Sequence, residues 1–207
     1  FRSRVIGVSL RGTAVAESLT PQQGHYTLIT RSASTEARVI GALERVLAGP
    51  NVSCDAMEAM ASPACRIVSL TVTEKGYGIS SNGELDHNHP AIVFDLVNPQ
   101  TPKGVIGLIV LALKRRMEKG LPPFTVLSCD NLSHNGQKLR KAVLAFAKEV
   151  HGEELFSWIA NNASFPSSMV DRITPASSSA TVKLAAELTG REDYAAVETE
   201  PFSQWVI

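Results

Sequence analysis

The sequence predicts an α/β fold, a mostly parallel sheet flanked by helices, and two observations carry that expectation. Short β-branched runs alternate with longer segments of helical periodicity, the rhythm of parallel strands joined by crossover helices. Several of the runs also lack apolar/polar alternation, as expected of strands covered on both faces. With 207 residues, 44% hydrophobic and 19% charged, the chain has apolar mass for one sizeable core or two small ones, and one domain over residues 1–207 is the preferred expectation.

The strands are expected at residues 5–10, 25–30, 66–73, 124–128, 169–173 and 195–198. Residues 36–47 (EARVIGALERVL) read either as helix or as a strand leading into one, because Val39 and Ile40 weaken the helical reading. A helix over 102–118 has Thr101 as a cap, Pro102 in its first turn, and Gly120, Pro122 and Pro123 to stop it. Residues 138–150 form another, with Leu139, Val143, Leu144, Phe146 and Ala147 on one face. Helices at 155–161 and 180–188 complete the set, the last capped from the serines at 177–179. The irregular stretch 76–90 (GYGISSNGELDHNHP) predicts a hairpin excursion turning at Asn82-Gly83.

Charge and cysteine content remove several classes of function. Lys plus Arg equals Asp plus Glu at 20 each, so no global field draws nucleic acid or anionic lipid. Three irregularly spaced cysteines, Cys54, Cys65 and Cys129, suit neither a disulfide framework nor a zinc site, and they point to the cytoplasm. The longest apolar run, 105–113 (VIGLIVLAL), is far short of the roughly 20 residues a membrane span needs, and reads as a buried helix segment. The opening FRSRVIGVSL has neither a leader's apolar stretch nor an initiator Met, so the chain is expected to begin inside a longer protein.

In an open parallel sheet, ligands bind beyond the carboxyl ends of the strands, where helix N-termini and backbone groups converge. Three of the expected strands end in polar residues: Thr73-Glu74, Ser128-Cys129-Asp130-Asn131 and Val170-Asp171-Arg172. Each polar residue has a plain alternative, to cap the following helix or close its turn, and Asp171 beside Arg172 or Glu74 beside Lys75 can be a local ion pair. Asn131 is the foremost candidate: a carboxamide offers two N–H donors and no exchangeable proton of its own, which suits it to holding an oxygen that becomes negative during hydride transfer. Asp171 can orient a basic group or a substrate hydroxyl. His87 and His89, at i and i+2 with no third ligand, make a weak metal pair, and no metal is expected. His134 can cap a turn, and Cys129 reads as packing rather than as a nucleophile. Neither a Gly-x-Ser-x-Gly elbow nor a phosphate-cradling loop is present, and no Gly-x-Gly-x-x-Gly turn opens a helix.

Four separated stretches carry a family likeness: RIVSLTVTEKGY (66–77), GLPPFTVLSCDNLSHNG (120–136), FPSSMVDRITPA (165–176) and TEPFSQWVI (199–207). In order and spacing they resemble the N-terminal domain of the polyol-specific long-chain dehydrogenases, a family that includes mannitol 2-dehydrogenase and D-mannonate oxidoreductase (fructuronate reductase). The resemblance implies a Rossmann-like NAD(P)-binding domain, here lacking its first strand and glycine-rich turn, normally followed by a helical domain that supplies a catalytic lysine. It implies a metal-independent interconversion of secondary alcohol and ketone on an open-chain polyol or aldonate, with mannonate/fructuronate mildly preferred to mannitol/fructose. By position it makes Asn131 and Asp171 catalytic, and Thr73, Glu74, Ser128, Asn131, Val170 and Asp171 cofactor-binding. Lys75, Lys138 and Lys183 match no catalytic lysine, so these 207 residues alone are expected to bind cofactor poorly and not to turn over. NAD is the expected cofactor, with NADP as the alternative because Arg11 follows the run 5–10 and no carboxylate appears until Glu17. The different-class alternative is a non-catalytic nucleotide- or metabolite-binding module. The oligomeric state is left open.

Overall fold

A computed structural model describes residues 4–80 and 82–207, with the side chain of Glu74 outside the described set. The chain divides into two compact units, one built from the residues up to Val52 with Asp171–Gln204, the other from Ser53–Val170 with Trp205–Ile207.

The first unit holds strands β1 (Val5–Val8), β2 (Tyr26–Arg31), β3 (Thr35–Ile40) and β4 (Leu43–Leu47), with helix α1 (Ala14–Leu19) between β1 and β2. β1 and β4 run parallel, with Ile6 opposite Arg45 and Val8 opposite Leu47. β2 and β3 form an antiparallel hairpin, Arg31 facing Thr35, closed where the Ser32 hydroxyl donates to the Ser34 carbonyl at 2.6 Å. Residues 36–47 are therefore two strands and no helix. Val39 and Ile40 pair with Thr27 and Tyr26, and cross-strand packing overrides the helical spacing of the leucines. Thr27 and Ile29 of β2 point inward, and Ile29 packs with Ala185 and Ala196 in a core covered by Leu184.

The second unit contains α2 (Val52–Ala61), β5 (Ile67–Leu70), α3 (Pro90–Val97), α4 (Val105–Glu118), β6 (Thr125–Ser128) and α5 (Asn135–Asn162). β5 and β6 are parallel neighbours in strict register, from Ile67 opposite Thr125 to Leu70 opposite Ser128. The apolar run that opens α4 is buried on every side, as a core helix must be when no face meets water. It packs on α5, where Leu139, Val143 and Phe146 are buried in their turn. α4 begins at Val105 with Gly104 as its cap rather than at Pro102 with Thr101. The buried Asp95 carboxylate accepts from the Lys103 and Gly104 amides at 2.8 and 2.9 Å, doing from a neighbouring helix what a local cap would do.

α5 is interrupted at Gly152 (φ 81°), which divides it between the two helices expected at 138–150 and 155–161. β7 (Met169–Asp171) follows, then α6 (Ser179–Thr189), β8 (Val197–Thr199) and β9 (Gln204–Val206). β7 pairs with β9, and β8 extends the hairpin sheet beside β2 in parallel. At the start of α6 the Ser178 hydroxyl accepts from the Thr181 amide while the Thr181 hydroxyl accepts from the Ser178 amide, a full capping box. Gly190 ends the helix in the left-handed region at φ 72°. The stretch after Tyr77 forms the expected excursion, a bridge of Ile79 to Leu85 around Asn82-Gly83. Among the described residues, no helix is long and apolar enough to cross a membrane.

Candidate functional site

The parallel register of β5 and β6 decides what meets at their carboxyl ends. Leu70 and Ser128 lie opposite one another, and the Cys129 amide donates to the Leu70 carbonyl at 2.7 Å, so the chains leave the sheet together. Thr73 and Asn131 stand three residues beyond that last pair. Thr73 is exposed and precedes a single 3-10 turn, Glu74–Gly76. Glu74 itself, as a side chain, lies outside the described residues.

Beneath these turns the polar groups form a connected set. Ser128 is 1% exposed, and its hydroxyl donates to the Asp130 carboxylate at 2.5 Å while lying 3.0 Å from the Tyr77 hydroxyl. The other Asp130 oxygen accepts from the Leu132 amide at 3.0 Å, bracketing Asn131 in a tight side-chain turn. Burial, with the nearby Asp130 carboxylate adding to it, pushes the Tyr77 hydroxyl far above its ordinary value, so it stays a neutral donor.

Asn135 is the second hub. Its side-chain amide donates to the carbonyls of Ser168 at 2.8 Å, Asp130 at 3.3 Å and Ser128 at 3.4 Å, and its oxygen accepts from the Ser168 and Gly136 amides at 3.0 and 2.8 Å. The Ser168 hydroxyl adds a bond of 2.6 Å to the Ser128 carbonyl. Gly136 is needed because a Cβ there would lie 2.5 Å from the carbonyl oxygens of Phe165 and Pro166. His134 caps α5 through its left-handed backbone (φ 55°) and not through its imidazole.

Against this framework Asn131 differs. Its side chain is exposed and makes no hydrogen bond among the described residues, so both amide protons lack a protein partner there. The polar cluster after β6 thus divides its labour: Asp130 and Asn135 fix the backbone, and Asn131 is left to meet something else.

The remaining expected site residues have different surroundings. Val170 is 41% exposed in β7. Asp171 is exposed and belongs to the first unit. Its neighbour Arg172 makes no ion pair with it among the described residues; the guanidinium donates to the Glu200 carbonyl at 3.2 and 3.3 Å. His87 pairs with Glu149 at 2.8 Å, which raises its pKa, and His89 Nε2 lies 3.0 Å from the Lys75 carbonyl. No group of three or more His, Cys, Asp or Glu side chains is arranged for a metal among the described residues. A concavity lined by Met117, Gly120, Leu121, Trp158 and Asn162 lies before β6, at the opposite end from Asn131.

Sequence reasoning missed Tyr77, Asn135 and Ser168. Asn135-Gly136 was open to notice as an Asn-Gly pair directly before a helical pattern, whereas nothing local marks Ser168, whose partners lie 33 and 40 residues away.

Comparison with known proteins places this geometry. The family described as the mannitol dehydrogenase Rossmann domain matches residues 3–207. D-mannonate oxidoreductase of Escherichia coli K12 is 46% identical over 194 residues, covering 92% of this chain and 40% of that protein. Mannitol 2-dehydrogenase of Pyrenophora tritici-repentis is 42% identical over 207 residues, covering 98% of this chain and 37% of that one. Among solved structures, Pseudomonas fluorescens mannitol 2-dehydrogenase in ternary complex with NAD and D-mannitol superposes with a TM-score of 0.91 at 43% identity, covering 98% of this chain and 42% of that chain. A substrate-free D-sorbitol dehydrogenase gives the same TM-score at 40% identity, covering 98% of this chain and 43% of that chain. The chain thus spans about 40% of the length of the relatives it matches. A sequence match running almost end to end, with the same α/β architecture beneath it, means that this chain belongs to the mannitol dehydrogenase Rossmann domain family.

Proposed function

We propose that this chain is the NAD-binding part of a metal-independent dehydrogenase that interconverts a secondary alcohol and a ketone on an open-chain polyol or aldonate. The observation that carries it is Asn131: an exposed carboxamide without a protein partner among the described residues, on a rigid turn at the carboxyl ends of parallel strands. The donor set fits a nicotinamide cofactor, because Thr73 and Asn131 bring neutral hydrogen-bonding groups to that edge. NAD supplies the hydride acceptor. The chain's own part is to hold and polarise. Asn131 donates to the reacting oxygen as it becomes negative, and a fixed donor of this kind contributes about 3 kcal/mol to the transition state.

Asp171, at the end of β7, orients the substrate hydroxyl or its base. Thr73, Glu74 and Val170 line the nicotinamide side. Ser128 contributes from beneath, since its hydroxyl is committed to Tyr77 and Asp130. The proton-abstracting lysine belongs to residues beyond these 207, in keeping with the greater length of the relatives. The named substrates of those relatives favour mannonate or mannitol, and NAD is favoured over NADP. The three cysteines, none in a disulfide, suit a cytoplasmic protein.

The test is a spectrophotometric screen of the complete protein carrying this chain against mannitol, mannonate, altronate and arabinitol, each with NAD and with NADP. Reduction of cofactor by at least one of these is expected. Tight cofactor binding with no turnover on any of them would replace the enzyme with a binding module.

A further inference from the structure

We propose that Tyr77 is a positioning residue for Asn131, acting through a one-way chain of hydrogen bonds. The inference rests on the reading of Asn131 as the donor to the reacting oxygen. Tyr77 is 2% exposed, yet its hydroxyl is 3.0 Å from the Ser128 hydroxyl, which is itself 2.5 Å from Asp130 Oδ2. A carboxylate has no proton to give, so the single Ser128 proton goes to Asp130 and the Tyr77 hydroxyl must be the donor to Ser128. The direction of the chain is therefore fixed from Tyr77 to Ser128 to Asp130.

Its far end is the turn that holds Asn131. Asp130 uses one oxygen for Ser128 and the other for the Leu132 amide at 3.0 Å, so the carboxylate that Tyr77 and Ser128 hold in place defines the backbone on both sides of Asn131. Tyr77 also closes the 3-10 turn that follows Thr73. One buried phenol thus ties together the turns after β5 and β6 through the buried Ser128 and the half-buried Asp130. A merely structural tyrosine would need only its ring; here the hydroxyl orients the carboxylate that aims a neighbouring carboxamide.

The experiment is a double-mutant cycle in the complete protein, with kcat measured on the preferred substrate and NAD. Tyr77→Phe keeps the ring and is expected to lower kcat about tenfold, the scale of one buried neutral hydrogen bond. Asn131→Ala is expected to lower it about 100-fold. Because Tyr77 acts through Asn131, the double variant should be no slower than Asn131→Ala by more than about twofold. Losses that multiply, or a Tyr77→Phe enzyme with the parent kcat, would overturn the proposal. If Asn131→Ala alone keeps the parent kcat, the fault lies in the underlying reading of the site. Should Tyr77→Phe fold poorly, Ser128→Ala breaks the same chain and takes its place in the cycle, read by the same two criteria.

Discussion

Asn131 and Asn135 lie four residues apart and do opposite work. The first is exposed and unengaged among the described residues; the second is 2% exposed and bonded through both ends of its amide. Their substitutions should separate cleanly. Asn131→Ala is expected to leave the chemical denaturation midpoint where it is while lowering kcat about 100-fold. Asn135→Ala leaves the Asp130 and Ser168 carbonyls and the Ser168 and Gly136 amides without their side-chain partner, while the Ser128 carbonyl keeps the Ser168 hydroxyl, and should cost about 1–3 kcal/mol or more of stability by the same denaturation measurement. Sequence reasoning could weigh residue type but not burial, so it recognised the asparagine that faces outward and passed over the one that faces in.

Asp193 allows a prediction about pH. Burial works to raise its pKa, but the bonds from Gln22 at 2.6 Å, the Thr27 amide at 2.5 Å and the Ala195 amide at 2.9 Å outweigh it, and the group is held below the ordinary carboxylate range. A carboxylate whose folded pKa is depressed stabilises the fold fully above its unfolded value and loses that contribution as pH falls through the lower, folded value. The first unit should therefore weaken on acidification through and below the ordinary carboxylate range. Asp193→Asn should be less stable at neutral pH and show a shallower loss in acid, by thermal unfolding followed across that window.

At the scale of elements, most strands and the helices α4, α5 and α6 were legible, α1, α2 and α3 were not, and the ends of the elements were not. The run 105–113 announces a buried helix by its composition alone, but its start depends on Asp95, which lies on another helix and leaves no mark near Thr101. The pair β3 and β4 was half legible: Val39 and Ile40 argue for strand, and only the partner strand β2 removes the helical alternative. Short helices such as α1 and α3 escaped because one or two turns give too little periodicity to read. The start of α5 carries the sharpest prediction here. Gly136→Ala must push the backbone of Phe165 and Pro166 away from the helix, since no flexible side chain is there to yield. We expect a loss of about 2 kcal/mol or more in urea unfolding, in the range of overpacking, with the bonds from Ser168 to Asn135 and Ser128 lost as well. Gly107→Ala, by contrast, would place its Cβ 2.4 Å from an Asp95 oxygen, and so would disturb the cap of α4 rather than the site.

For the molecule as a whole, the α/β class was legible from an alternation that recurs along the chain, and the family from four separated stretches in the right order. The place proposed for the site follows from sequence in part: parallel strands imply a functional edge, and β5 and β6 end in register, three residues before Thr73 and Asn131. Which residues form its foundation does not, because Tyr77 reaches Ser128 across 51 residues. The division of function in the proposed enzyme makes a further expectation. The 207 residues expressed alone should give no cofactor reduction above background with any of the sugars, while the complete protein does; turnover by the isolated chain would remove the need for an outside lysine.

Arg116 shows how differently the two units are secured. It is 1% exposed, makes no ion pair among the described residues, and its guanidinium is met by the carbonyls of Pro122 at 2.7 Å, Met60 at 3.1 Å and Ser62 at 2.5 Å. Peptide carbonyls neither gain protons nor surrender them in the accessible range, so this rivet is indifferent to acid, whereas the one at Asp193 dissolves in it. Souring the solution should therefore loosen the amides around Thr27 to hydrogen exchange before those of α4, and the protein should come apart from its hairpin side first.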